Sequence, residues 1–487
     1  MYVEDTTAPI VTPGGIPPSL VCIVGPARGY QTASETLALY QDQAATLRNQ
    51  GVITTDQAGP PAVSAPRVTK LDGTLLQVET DYVLTTSSGE GGEGTSTTSI
   101  QRVATSTAVG EGEMVVVEYN YTNSTYYSPQ VFDDFDRVMA MYGRPLVQQT
   151  PGSPSDTHVN SPLSLGIQLA FQNGAAEVIG VATNPSDGDI KAQITSAYQK
   201  VRSNYSAAII VPVFPDDITV TAGTVTGLVQ TMAQDLRAHC NTASAEGYNR
   251  IGIFGLPKNY SETELSVDSL ALSVASKRVV LTYPAALQLY NPSVQQSTEV
   301  AGCYLAAALA GILSSLPVNT GLTRQVVSGF QGIDSAKRQD MTNSAMNQLS
   351  SSGVLVVQID RLGRLLVRHG VTTDNSALNT REVSLVRIGD AVHQTVQGSL
   401  ENSNLIGSPI DADMVIRIQG VIQGALEQMR ISNTIVSWTG LSVQQQSVDP
   451  SVVEARFAYR PAVPLNYIVV SYTVDLNTGE ISETTPA

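Results

Sequence analysis

The segment Ala207-Ala-Ile-Ile-Val-Pro-Val-Phe214 decides the fold. It is apolar from end to end and shows no polar alternation, so a strand built from it must be covered on both faces. Four further runs share that character: Ala176-Glu-Val-Ile-Gly-Val-Ala182, Arg250-Ile-Gly-Ile-Phe254, Arg278-Val-Val-Leu-Thr-Tyr283 and Val354-Leu-Val-Val-Gln-Ile359. Helical patterns lie between and beside them, near 189–203, 224–239, 262–276, 299–315 and 334–351. Buried strands separated by helices indicate a mostly parallel sheet with helices on both sides. Ser19-Leu-Val-Cys-Ile-Val-Gly25 is a short buried strand ending at Gly25-Pro26 and belongs to the same sheet. A helix-like stretch follows it at 33–49.

Between 62 and 125 the character changes. Thr74–Glu79, Asp81–Thr86, Ser99–Ala104 and Met114–Tyr121 are strand patterns separated by turn-rich segments. Their spacing suggests a small β-sandwich or barrel inserted in an early connection. The run Gly89-Glu-Gly-Gly-Glu-Gly94 suits a flexible, solvent-facing hairpin loop, because it lacks the following helix and the lysine of a phosphate cradle. From 376 onward, helices at 387–400 and 411–429 precede strands at Val453–Tyr459 and Tyr467–Val474, with Pro461, Pro464 and Asn466 marking the turn.

Both ends are strand-like. Asn466-Tyr-Ile-Val-Val-Ser-Tyr-Thr-Val-Asp475 is rich in β-branched and aromatic residues. Met1-Tyr-Val-Glu-Asp5 is its smaller counterpart, cut off by Pro9, Pro13, Gly14, Gly15, Pro17 and Pro18. A lone strand leaves its backbone donors and acceptors unsatisfied, so each end must join a sheet edge in its own chain or in another copy. The expected fold is therefore an α/β core with a mostly parallel sheet, an inserted β domain, a C-terminal α+β module and extended arms. The divisions are 1–18 (arm), 19–61 with 126–375 (core), 62–125 (inserted domain), 376–464 (module) and 465–487 (arm).

Composition narrows the function. The chain has 487 residues, 14% charged, and a net charge of −16. So sparse a set of charges suits surfaces that are readily desolvated against other proteins. The acidic balance argues against nucleic acid, which needs a basic face, and against an anionic membrane surface. Cys22, Cys240 and Cys303 are too few and too scattered for a disulfide framework or a metal knuckle. No basic and then apolar leader is visible, and Ala301–Leu316 is too short to span a bilayer, so synthesis in a reducing cytoplasm and no membrane insertion are expected.

No catalytic constellation emerges. His158, His239, His369 and His393 form no metal-spaced pair, and His369 fits a surface position. Asp133-Asp-Phe-Asp136 reads as a helix start, Asp216-Asp217 follows a strand end, and Asp411-Ala-Asp413 suits the cap of the 411–429 helix. A nucleophile elbow, a dinucleotide fingerprint and a phosphate-binding loop are all lacking. No cofactor or metal is expected. On the 411–429 helix, Asp411, Asp413, Arg417, Glu427 and Arg430 suit weak, sliding contacts, while Val415, Ile416, Ile418, Val421, Ile422, Leu426 and Met429 suit packing.

Several segments together resemble the tail sheath proteins of contractile-tailed bacteriophages. They are Tyr2-Val-Glu4 with the Pro/Gly arm and Ser19–Gly29, and Phe132-Asp-Asp-Phe-Asp136 with Met141-Tyr-Gly143. Ser161–Ala175 ends its helix in Asn-Gly, and Ala301–Gly311 is followed by Asn319–Thr323. Val371–Asp374 with Glu382–Asp390 completes the set. The resemblance runs nearly end to end. It implies a structural, non-enzymatic virion subunit, assembled in the host cytoplasm, whose copies stack as rings around a tail tube and contract to drive the tube through the host envelope. It implies as partners the chain itself, the tail tube protein, and baseplate and tail terminator proteins. Strand exchange between copies would use Tyr2, Val3 and Glu4 at one end and Tyr467, Ile468, Val469, Val470, Tyr472 and Val474 at the other. The 411–429 helix would face the tube. Two alternatives remain at this level: a cytoplasmic α/β hydrolase or transferase with a β insertion, and another lattice-forming virion protein.

Overall fold

Eight strands form the central sheet, in the spatial order Leu365–Val367, Val354–Ile359, Val279–Tyr283, Ile251–Phe254, Ala207–Pro212, Leu20–Gly25, Val178–Ala182 and Gln130–Phe132. The computed structural model describes residues 20–27, 31–49, 52–54, 65–88, 96–121, 125–148, 157–204, 206–218, 220, 223–260, 264–291, 296–333, 341–466, 468, 473–474 and 481–482. The six inner strands pair in parallel, and the two outermost are antiparallel to their neighbours. Each of the five apolar runs supplies one inner strand, and Ser19–Gly25 supplies the sixth. Every residue of Val178–Ala182, Ile251–Phe254 and Val279–Tyr283 is buried, as continuous apolar strands require.

Helices cover both faces. Pro162–Gln172 and Gly302–Ser315 pack together on one side. Ile190–Lys200, Val225–Ala245, Glu264–Val274 and Asn343–Ser351 follow one another on the other. Their starts are written locally: Ser161, Asp189, Thr224 and Thr342 each accept a backbone N–H of the first turn, and Pro162 occupies the first helical turn. Gly302–Leu313 is buried without interruption. Its small residues permit backbone-to-backbone approach: a β-carbon at Gly311 would lie 2.3 Å from the Ala170 carbonyl oxygen.

The order of strands reverses at Leu20–Gly25, which lies between Val178–Ala182 and Ala207–Pro212. In open α/β sheets such a crevice is where ligands bind. Here it is filled. Leu163 N–H donates to the Pro26 carbonyl at 2.9 Å, Val213 N–H donates to Val24 at 2.8 Å, and a β-carbon at Gly25 would lie 2.4 Å from Val213.

The 33–49 segment is not helical. Gln31–Leu39 is a strand that pairs residue for residue with Glu113–Tyr121. It therefore belongs with the inserted β segment, and the 19–61 part of the expected core ends well before residue 61. Nine paired residues outweigh the helix-forming tendency of its alanines, leucines and glutamate. Thr74–Glu79 is also no regular strand: only the isolated bridges Thr69–Leu75 and Val78–Tyr82 occur there. The sheet of Gln31–Leu39, Glu113–Tyr121 and Arg67–Lys70 and the sheet of Ala45–Thr46, Ser96–Arg102 and Tyr82–Ser88 share one core, including Leu39, Val68, Ile100, Val115 and Val117.

In the C-terminal part, Val383–Asn402 and Ala412–Ile431 pack on each other. Val453–Pro461 is a strand, and among the described residues its partner is Ile435–Gln445; most of the expected 467–474 strand lies outside the described residues. Trp438, Leu441, Val443, Val453, Ala455, Phe457 and Tyr459 turn toward the helices, which buries the Ile422, Leu426 and Met429 face.

Candidate assembly interface

Among the described residues, Ile435–Gln445 and Val453–Pro461 form a two-stranded sheet. One face rests on the Ala412–Ile431 helix. Among the described residues, neither strand has a ladder partner on its outer edge. An unpaired edge presents a row of N–H and C=O groups ready for another strand. Register shifts occur beside Ser437 and between Thr439 and Ser442, where Gly440 takes φ +67°.

The helix carries its charged residues at its two ends. Asp411 caps it, accepting the Met414 N–H at 2.6 Å, and Arg417 Nη2 lies 3.6 Å from the Asp411 carboxylate. Asp413 is exposed in the first turn. Glu427 and Arg430 pair at the other end, where the carboxylate is held below its usual range by the guanidinium. Between them Ile416, Gln419, Gly420, Gln423 and Gly424 are exposed, with open space beside both glycines. The opposite face, with Met414, Ile422, Ala425, Leu426 and Met429, is buried. Of the expected packing set, Ile422, Leu426 and Met429 are buried and Val415 and Ile418 partly so, while Ile416 is exposed.

Of the strand-exchange residues, Tyr2, Val3, Glu4, Tyr467, Val469, Val470 and Tyr472 lie outside the described residues. Ile468 is 75% exposed. Val474 pairs with Ile481, and Thr473 with Ser482, in a short antiparallel pair. Sequence reasoning missed the Ile435–Gln445 strand, although Ile435, Val436, Trp438, Thr439 and Val443 supply β-formers there.

The titratable groups build scaffolding. His239 Nε2 accepts from Arg250 Nη1 at 2.9 Å, and its ring stacks on Tyr198 at 4.9 Å. Burial, then Arg250, push its pKa down to about 3, so it stays neutral. With Nε2 engaged, it is no free base for the shallow hollow that Thr195, Arg202 and Asp235 help to line. Asp216 accepts the Ala301 N–H at 2.8 Å, at the start of the Gly302–Ser315 helix, and burial pushes it up to about 6. Asp134 caps the Phe135–Tyr142 helix. His369 is half-buried and lowered by burial and by Arg368, so it is not the freely solvated surface histidine expected. Cys22, Cys240 and Cys303 are buried thiols. Among the described residues there is no group of three or more His, Cys, Asp or Glu side chains placed to hold a metal, and no helix long and apolar enough to cross a membrane.

No family model matches the chain. A tail sheath protein of Mycobacterium phage Bxz1 is 30% identical over 450 residues, spanning 89% of this chain and 73% of the relative. The helical sheath of the anti-feeding prophage in its contracted state superposes over 98% of both chains with a TM-score of 0.52 at 10% identity. A chain of the same particle's baseplate covers 72% of this chain and 89% of its own, with a TM-score of 0.53 at 13% identity. These two likenesses establish the fold, and the phage relative establishes the family. The role is structural and not enzymatic. The chain belongs to the tail sheath proteins of contractile-tailed bacteriophages and is a sheath subunit of the virion.

Proposed function

We propose that copies of this subunit are joined by strand addition. The terminal segments of one copy, through Tyr2, Val3, Glu4 and Tyr467–Val474, complete the Ile435–Gln445 and Val453–Pro461 sheet of neighbouring copies. The observation that supports this is the two-stranded sheet with both outer edges unpaired among the described residues. Main-chain hydrogen bonds join such edges whatever the side chains. Each contributes about 0.5–1.5 kcal/mol net, so a five-residue strand contributes a few kcal/mol, repeated through the lattice. The Pro/Gly segment 8–18 acts as the tether that lets rigid cores reorient while the strands stay paired.

On this reading subunits stack as rings around the tail tube protein, with the exposed face of Ala412–Ile431 toward the tube. They end on baseplate and terminator proteins, and contraction drives the tube through the host envelope. The working division is two arms (1–18 and 465–487), an α/β core, a β domain on the outside and the 376–464 module. Negative-stain microscopy of the purified chain tests the core of it. Wild type is expected to form hollow helical tubes or stacked rings. Chains lacking 1–18 or 467–487 are expected to stay folded monomers. Normal tubes from both truncations overturn the proposal.

A further inference from the structure

The chain leaves the C-terminal sheet at Pro461 and turns back onto the α/β core. Pro464 lies against Gly321, where a β-carbon would sit 3.2 Å from the proline ring. Two residues later the Asn466 side chain uses both ends of its amide. Its Oδ1 accepts from the Thr323 hydroxyl at 2.7 Å, and its Nδ2 donates to Glu382 Oε2 at 3.1 Å. Thr323 lies in the core loop that follows the Gly302–Ser315 helix, and its Oγ1 also accepts the Gly370 N–H at 3.4 Å. Glu382 is the single residue between the short Leu378–Arg381 helical turn and the long Val383–Asn402 helix. It is 3% exposed, and burial raises its carboxyl while the Asn466 amide and the Ser384 hydroxyl oppose that rise. The entry to the C-terminal module and the exit from it are therefore tied to each other, and to the core, at one point.

We propose that Asn466 is a positioning residue that seats the root of the C-terminal arm. Thr323 and Glu382 hold it, so a pull on the residues beyond 466 loads the core junction. Without the clamp the same pull would reach Val453–Pro461 from its end and open that strand's ladder one bond at a time. The proposal rests on the strand-addition reading above and deepens it. It names the point through which a tethered neighbour pulls on this subunit as the lattice rearranges.

The test uses full-length chains. Asn466→Asp removes the donor and sets a second carboxylate against Glu382. The double variant Glu382→Gln with Asn466→Asp exchanges amide and carboxylate, restoring one donor–acceptor pair at unchanged net charge while Thr323 still donates. Thr323→Val removes only the hydroxyl and stands in if Asn466→Asp does not fold. Hydrogen exchange over 453–466 in the soluble monomer, and the critical concentration for tubes by sedimentation, are read in parallel. Asn466→Asp is expected to speed exchange and raise the critical concentration by about tenfold, the effect of losing one charge-assisted hydrogen bond. The double variant is expected to recover both to within about twofold. Wild-type exchange in both Asn466→Asp and Thr323→Val overturns the clamp, as does a folded double variant that recovers neither reading. A chain lacking 467–487 separates the two claims. If it assembles normally, strand addition by the C-terminal arm fails and monomer exchange alone judges the clamp. If it does not assemble while Asn466→Asp does so at wild-type concentration, the clamp fails and strand addition stands.

Discussion

Arg278 and Asp390 form a largely buried ion pair that joins the start of the inner strand Val279–Tyr283 to the Val383–Asn402 helix. Arg278 also donates to Asn249 Oδ1 at 3.3 Å, and Asn249 Nδ2 donates to His393 Nδ1 at 3.2 Å. These contacts tie the α/β core to the C-terminal module at a second point, separate from Asn466. Removing one partner leaves the other charge buried and uncompensated. Asp390→Ala is expected to cost about 3 kcal/mol, read from the urea midpoint. Replacing both partners with apolar residues is expected to cost less than that single change.

His239 makes folding sensitive to acid. Its pKa is about 3 in the fold, against roughly 6.5 in an unfolded chain. The unfolded state therefore takes up the proton first, and this stability is present above about pH 6.5 and lost as pH falls toward 3. At pH 5 the loss is about 2 kcal/mol. His239→Gln keeps an acceptor for Arg250 and is expected to flatten the acid limb in thermal melts between pH 7 and 4.

Asp216 acts in the opposite sense. Its folded pKa of about 6 lies above the unfolded value, which is roughly 3.9. The native state takes up this proton first, so stability rises as pH falls from about 6 to about 4. Asp216→Asn keeps an acceptor for the Ala301 N–H. It is expected to stabilise by roughly 3 kcal/mol at pH 7 and to make the acid fall steeper, both measurable by denaturant titration at each pH.

Gly311 sets the spacing of two buried helices. A β-carbon there would lie 2.3 Å from the Ala170 carbonyl, which cannot swing aside as a flexible side chain would. Gly311→Ala is expected to destabilise by about 2–3 kcal/mol despite alanine's better helix propensity. A melting temperature at or above wild type contradicts this packing argument.

The exposed face of Ala412–Ile431 is expected to be dispensable for folding. Arg417→Ala and Ile416→Ser change stability by less than about 0.5 kcal/mol, because neither side chain is buried. Cosedimentation with tail tubes is expected to drop for both, while tube-free polymerisation is retained. Unchanged cosedimentation removes this helix as the tube-facing element.

The strands at 178–182, 207–212, 251–254, 279–283 and 354–359 were legible because long apolar runs admit one environment, a sheet covered on both faces. Gln31–Leu39 misled because its alanines, leucines and glutamate favour helix, and only its distant partner at 113–121 supplies the competing ladder. Ile435–Gln445 was hidden because Gly440 and two register shifts break the alternation that marks a strand. The charge positions Asp411, Asp413, Arg417, Glu427 and Arg430 were readable as one helix. Which of its faces is buried depended on the sheet that packs against it.

The order of residues by itself determined the α/β core, the helix start at Asp411, the low charge density and the strand-like ends. These follow from local pattern and composition, which act over a few residues. Only the tertiary structure decided that Val213 packs closely on Gly25, that Val453–Pro461 pairs with Ile435–Gln445, and that Thr323, Glu382 and Asn466 meet. Contacts between residues 84 and 143 positions apart depend on how whole elements stack, and no short stretch of chain carries that information.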